Sequence, residues 1–276
     1  VGNDYGESYT SDDVGFLNPN GLILGKIRTP NLVPVPHVEV RLTPNLGRAL
    51  EFDGISDFVV FDSLTVIPVD SQYTVEGWFR AFPDASVQTF ISLTDIGKKS
   101  GDQYIWLGLN ESGQVSYTHR SEAGSETLTE LNSIQSFNDL EWHHFAGTHS
   151  GELMSLYVDG NLVDSQADFN PILNLTNLGF GKWTPQDEMA FLHGRLDDIR
   201  IWDSARERED IRLNDQRTLN GEEEHLLAYW KFDEVLGVKI FDLTANKFNG
   251  VICSVSRTEQ KAPVWVSGLT DEDGNY

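Results

Sequence analysis

Residues 141–163, EWHHFAGTHSGELMSLYVDGNLV, hold two short apolar runs, WHHFAGT (142–148) and LMSLYV (153–158), and one diagnostic turn. Asp159-Gly160-Asn161 joins LMSLYV to the following LVDSQ, and Asp-Gly supplies the positive φ that a tight primed hairpin turn requires. Working outward, runs of the same kind recur at DFVVF (57–61), YTVEGWF (73–79), QTFISL (88–93), QYIWLGL (103–109), QVSYTH (114–119) and LDDIRIW (196–202). Asn110-Glu111-Ser112-Gly113 is a second hairpin turn, between the runs at 103–109 and 114–119. Short runs punctuated by Gly, Asp, Asn and Pro at this spacing predict an all-β, antiparallel two-sheet sandwich or jelly roll. One short helix is expected: Ser204 and Glu207 form a capping box, with Ala205, Ile211 and Leu213 as its apolar contacts.

The 276 residues are 39 % hydrophobic and 11 % aromatic, enough to bury a large core. No run approaches the roughly 18 apolar residues of a membrane-spanning helix, and the polar, acidic start VGNDYGESYTSDD reads as neither signal peptide nor anchor. Forty-three Asp and Glu against 20 Lys and Arg give a formal charge of −23, which repels phosphate backbones and argues against nucleic-acid binding. The excess acid fits a solvated surface, carboxylates gathered around calcium, or both. The lone cysteine, Cys253, excludes an internal disulfide, and its place in Val251-Ile252-Cys253 predicts a buried thiol.

Five motifs in order carry a family resemblance: GRALEFDGISDFVVF (47–61), YTVEGWF (73–79), EWHHFAGTH (141–149), LYVDGNLV (156–163) and FLHGRLDDIRIWDSARERED (191–210). Together they resemble the laminin G-like, concanavalin A-like jelly-roll family. LLAYWKFDEVLGVKIFDLTANKFNGVI (226–252) is similar to that family's opening strand, yet here it follows the helix. It either begins a second repeat or folds back to complete the same body, and the flanks favour the fold-back. GLILGKIRTPNLVPVPHVEVRLTP (21–44) and GLTDEDGNY (268–276) resemble strands of a small carboxypeptidase-regulatory, immunoglobulin-like domain. The expected organisation is a linker at 1–20, partial immunoglobulin-like strands at 21–45 and 263–276, and the jelly roll at 46–262.

The resemblance implies a binding or adhesion module of an extracellular or cell-surface multidomain protein, without membrane insertion. Its partners would be a glycan or protein ligand and neighbouring domains of the parent chain. A structural spacer is the main alternative. Catalysis is not expected: retaining glycoside hydrolysis needs two carboxylates about 5 Å apart, and no segment here repeats the paired Glu of the related glucanases. His143 and His144 are adjacent on a strand and point to opposite faces, so they do not share a metal.

The family implies a structural Ca²⁺ with Asp197, in Asp197-Asp198-Ile199-Arg200-Ile201, as a ligand. Asp53 and Asp242 are added candidates, unless these aspartates only cap turns. For a sugar, Tyr104 and Trp106 alternate onto one face of a strand, as do Tyr117 and His119 on the next, and Trp183 lies in a loop beside them. These rings are either a stacking platform or core.

Overall fold

In the computed structural model, residues 16–17, 23–24, 39–42, 47–61, 72–94, 103–121, 128–170, 175–183, 190–214, 217–259, 261–262 and 266–269 are described. The chain divides into a small unit, 1–44 with 265–276, and a large unit, 45–264. In chain order the strands are β1 (Phe16–Leu17), β2 (Ile23–Leu24), β3 (Glu39–Leu42), β4 (Ala49–Asp53), β5 (Phe58–Phe61), β6 (Tyr73–Ala81) and β7 (Gln88–Thr94). They continue with β8 (Tyr104–Leu109), β9 (Gln114–Arg120), β10 (Leu128–Ser136), β11 (His143–His149), β12 (Leu153–Val158), β13 (Asn161–Ala167), β14 (Asn177–Phe180) and β15 (His193–Trp202). The helix α1 (Arg208–Asn214) follows, then β16 (Leu226–Trp230), β17 (Lys239–Ile240), β18 (Gly250–Cys253), β19 (Ser256–Thr258) and β20 (Val266–Leu269). In the small unit β1 pairs with β2, and β3 pairs antiparallel with β20, so both ends of the chain contribute to it.

The large unit is the expected antiparallel sandwich. One sheet runs β10-β9-β8-β7-β14-β5-β18-β17; the other runs β13-β12-β11-β6-β15-β4-β19, with β16 also on β15. Residues 226–258 fold back into this body: β16 pairs with β15, β18 with β5 and β19 with β4. Alternation along each strand sends every second side chain inward. One inward row crosses seven strands of the first sheet in register: Leu131, Tyr117, Leu107, Ile91, Phe180, Val59 and Ile252. It meets Val75, Phe79, Phe145, Ile199 and Trp230 of the second sheet, all fully buried. Each such side chain contributes about 1.5–3 kcal/mol on leaving water.

Both predicted turns form: Asp159 and Gly160 take φ of 50° and 69°, and Gly113 takes 73°. The helix does not start at the predicted box. It begins at Arg208, and Thr74 Oγ1, from β6, donates to the Ser204 carbonyl (2.8 Å) while accepting the Arg206 N–H (2.9 Å). Thr74, 130 residues from Ser204, thus holds the segment just before the helix, where local spacing had placed the first turn. Ile211 is buried as expected, and the Leu213 side chain lies outside the described residues. Cys253 is half-buried near a sheet edge rather than in the core.

Candidate ligand-binding face and buried polar clusters

Pairing register separates the aromatic residues that sequence spacing grouped. Directly opposed residues on neighbouring strands share a face. Tyr104 opposes Arg120 and Thr94, and Trp106 opposes Thr118 and Ser92, whereas Tyr117 opposes Leu107 and His119 opposes Ile105. Tyr117 and His119 therefore face the core, where both are fully buried, and they belong to no surface platform. Tyr117 donates to the Tyr73 hydroxyl at 2.6 Å in the sheet interface.

Tyr104 and Trp106 lie on the outer face and Trp183 joins them. Its ring stands 4.8 Å from Tyr104 and 6.3 Å from Trp106, at 81° and 83°, so the three rings build a corner. Trp106 keeps 8 % of its surface and anchors its Nε1–H on Thr89 Oγ1 at 3.0 Å; Tyr104 and Trp183 are half-buried. Ser92, Thr94, Thr118 and Arg120 carry polar groups beside the corner, and the Arg120 side chain hydrogen-bonds the Tyr104 hydroxyl.

The Trp183 loop is pinned at its root. Gly181 N–H donates to the Phe90 carbonyl (3.1 Å), Ser92 Oγ donates to the Lys182 carbonyl (3.1 Å), and Trp183 N–H donates to the Ala190 carbonyl (3.2 Å). Gly181 has φ of +75°, and a Cβ there would sit 2.4 Å from the Phe52 ring. Gly181→Ala is expected to lower stability by about 1–3 kcal/mol and to displace Trp183. Urea unfolding and Trp fluorescence read the two effects; an unchanged midpoint contradicts the assigned strain.

The three candidate calcium ligands are not brought together. Asp53 Oδ1 accepts the amides of Ile55, Ser56 and Asp57. Asp242 accepts four bonds, from Tyr229 N, Thr244 N, Thr244 Oγ1 and Phe248 N, which uses the lone-pair capacity of its carboxylate. Asp197 is buried and accepts the amides of Asp198 and Ala262; burial and the neighbouring Asp198 raise its pKa. A Ca²⁺ site needs six to eight converging oxygens. These carboxylates instead hold turns and strand ends through backbone donors, and they do not fit one shared ion.

On the outer face of the second sheet lies an ionic cluster that sequence spacing did not reveal. Glu76 is fully buried, and its carboxylate receives Trp202 Nε1–H (2.9 Å) and Arg206 Nη1 (3.1 Å), with Arg200 Nη1 at 3.5 Å and His144 Nε2 at 3.9 Å. Burial works to raise its pKa, but Arg206, Arg200 and His144 outweigh burial and lower it. Arg200 also bonds Asp198 Oδ1 (3.1 Å) and the Arg217 carbonyl (2.7 Å).

Burial depresses the pKa of His144 to about 4 despite the adjacent Glu76. Its unfolded value is near 6.5, so the unfolded chain binds this proton first. The cost to the fold is absent above pH 6.5, grows as pH falls toward 4, and reaches about 3 kcal/mol. His144→Gln is expected to flatten the stability loss of the parent chain across that window in urea titrations. Parallel pH profiles for the two proteins contradict this assignment. His143, on the opposite face of the strand, bonds Asp159 (2.8 Å) and Asp139 (3.2 Å) and shares no partner atom with Glu76.

Elsewhere, a cleft of about 390 Å³ opens beside the edge strands β10 and β13, lined in part by Phe137, Val158 and Leu162. Among the described residues no helix is long and apolar enough to cross a membrane.

The family described as the concanavalin A-like lectin/glucanases superfamily matches residues 53–212. No curated protein matches the chain. Among solved structures, a Bacteroides ovatus protein provisionally named as carbohydrate binding aligns with TM-score 0.60 at 16 % identity, over 84 % of this chain and 62 % of its own. The chain thus spans less than two thirds of that protein. A SAP-like pentraxin from Limulus polyphemus aligns with TM-score 0.49 at 14 % identity, over 62 % of this chain and 82 % of its own. The CBM40 of a Ruminococcus gnavus IT-sialidase, bound to α2,3 sialyllactose, aligns with TM-score 0.49 at 16 % identity, over 66 % of this chain and 100 % of its own.

Proposed function

From the premise that the chain belongs to the concanavalin A-like lectin/glucanases superfamily, we propose that it is a non-catalytic carbohydrate-binding module of an extracellular or surface-attached protein. The observation that carries this reading is the corner formed by Tyr104, Trp106 and Trp183 on the outer face. A pyranose ring has an apolar C–H face that rests on an aromatic ring and an equatorial rim of hydroxyls that needs polar partners. Rings with Arg120, Thr118 and Thr94 beside them meet both demands.

The same face supports binding over hydrolysis. Among the described residues, the strands under the corner (β7, β8, β9 and β14) carry no carboxylate, and Glu130 on the edge strand β10 stands as a single acid. Two carboxylates about 5 Å apart are the requirement of a retaining glycosidase. Pairing of β3 with β20 supports an immunoglobulin-like neighbour built from both chain ends, as the flanking motifs suggested.

A second reading, a spacer that packs against neighbouring domains, draws on Val235, Leu236, Val238, Phe241 and Leu243, all exposed within nine residues. An array of neutral and acidic oligosaccharides separates the two. Reproducible hits that free oligosaccharide competes away support the module; silence across the array overturns it in favour of the spacer.

A further inference from the structure

We propose that His119, His149 and Asp168 form a transition-metal site inside the sandwich, suited to Zn²⁺. His119 comes from the inner face of β9, His149 from the end of β11 in the opposite sheet, and Asp168 from the residue after β13. One nitrogen of each imidazole and one Asp168 oxygen lie within 4.8 Å of one another, and all three residues are buried. His119 Nδ1 is 3.0 Å from Asp168 Oδ2, and His149 Nε2 is 3.9 Å from Asp168 Oδ1. Two imidazoles and a carboxylate are a zinc donor set, and a tetrahedral Zn²⁺ places neighbouring donors roughly 3.3–3.5 Å apart. The His119–Asp168 edge is already that short, and the main movement required is that of His149, whose separations of 3.9 Å from Asp168 Oδ1 and at most 4.8 Å from the His119 nitrogen have to close by up to about 1.5 Å. A fourth position falls to water.

A second, independent observation points to a ligand. His119 is fully buried, and while Nδ1 faces Asp168, Nε2 has no hydrogen-bond partner, which is costly for a polar group away from water. Burial lowers the His119 pKa and keeps the imidazole neutral, the form that ligates. The supports of a metal site are also present. Asn170 donates its backbone N–H and its Nδ2–H to Asp168 Oδ1 (both 2.9 Å), which fixes the carboxylate. Tyr73 stacks on the His149 ring at 5.5 Å and 3°, and fixes its plane. Gly151 N–H donates to His149 Nδ1 at 3.1 Å, so the neutral ring carries its proton on Nε2. Ligation through Nε2 takes the other tautomer, with the ring proton moved to Nδ1, and gives up the Gly151 bond.

The test uses the whole chain, stripped with a chelator and re-equilibrated with Zn²⁺ alone. Elemental analysis is expected to find one ion per chain, and Tm is expected to rise by about 5–10 °C at roughly 100-fold excess over Kd. Asp168→Asn keeps the size of the side chain and is expected to lose both responses, as is His119→Gln. His225→Gln, which alters an exposed histidine paired with Asp203, is expected to keep both. The inference is overturned if the parent chain holds no stoichiometric Zn²⁺ and its Tm does not respond. It is equally overturned if Asp168→Asn, folded by circular dichroism, binds the ion undiminished. The trio is then a carboxylate bridging two imidazole N–H groups. Neither outcome touches the glycan-binding reading, whose residues lie on the other face of the sheet.

Discussion

Replacing Arg200 with methionine is expected to lower the unfolding free energy by about 3–5 kcal/mol, the range for removing one partner of a buried ion cluster. Arg200 is 1 % exposed and sits between two buried carboxylates, Glu76 and Asp198. Met fills much of the same volume, so the loss is electrostatic more than steric. After the change, Glu76 keeps Arg206 and Trp202, while Asp198 keeps the Tyr229 hydroxyl as its one hydrogen-bond donor among the described side chains, with the Lys231 charge acting from farther off. An anion left in a dry site with one donor is the costly product. Pairing the change with Asp198→Asn removes the orphaned charge and is expected to recover a large part of the loss. Urea titration of the three proteins measures both effects. A loss below about 1 kcal/mol for the single change would show that the cluster tolerates an unpaired carboxylate, and the account of it would fail.

Trp183→Ala is expected to weaken the strongest glycan found on the array about 30-fold. That corresponds to about 2 kcal/mol, the size of effect at which truncating a central aromatic anchor marks a binding hot spot. Trp183 is half-buried in a loop, so its removal leaves the sheet intact. Trp106→Ala is a poorer test. Its side chain is 92 % buried and bonded to Thr89, and its truncation costs about 3–5 kcal/mol of stability in addition to any affinity. Tyr104→Ala serves better as the companion change. Calorimetry with the array ligand gives the ratio, and unchanged affinity in a folded Trp183→Ala protein removes the aromatic corner from the binding site.

The strand runs and both hairpin turns were legible because they depend on neighbours in the chain. Period-two alternation at YTVEGWF marks its two faces, and Asp159-Gly160 specifies its turn by backbone sterics alone. The displaced motif that carries β16 left a second repeat or a fold-back open, and the flanking motifs favoured the fold-back that 226–258 makes. The grouping of the candidate rings was legible in part. Tyr104, Trp106 and Trp183 gather, but Tyr117 and His119 turn inward, because alternation within one strand does not say which face its neighbour presents. That is set by register, and a shift of one residue reverses it. The helix start was misplaced for a similar reason: Thr74, from a distant strand, holds residues 204–206 ahead of the helix.

What the sequence by itself determined is the architecture and its periodicity: short alternating strands, tight turns, and enough apolar side chains to fill the space between two sheets. Only the tertiary structure decided which polar residues meet. Glu76 with Arg200 and Arg206, and His119 with His149 and Asp168, are separated by 19 to 130 residues and share no spacing rule. Local patterning encodes burial, because burial repeats with the backbone period. Contacts between charges depend on how whole strands pair and stack, and no period of the chain carries that information.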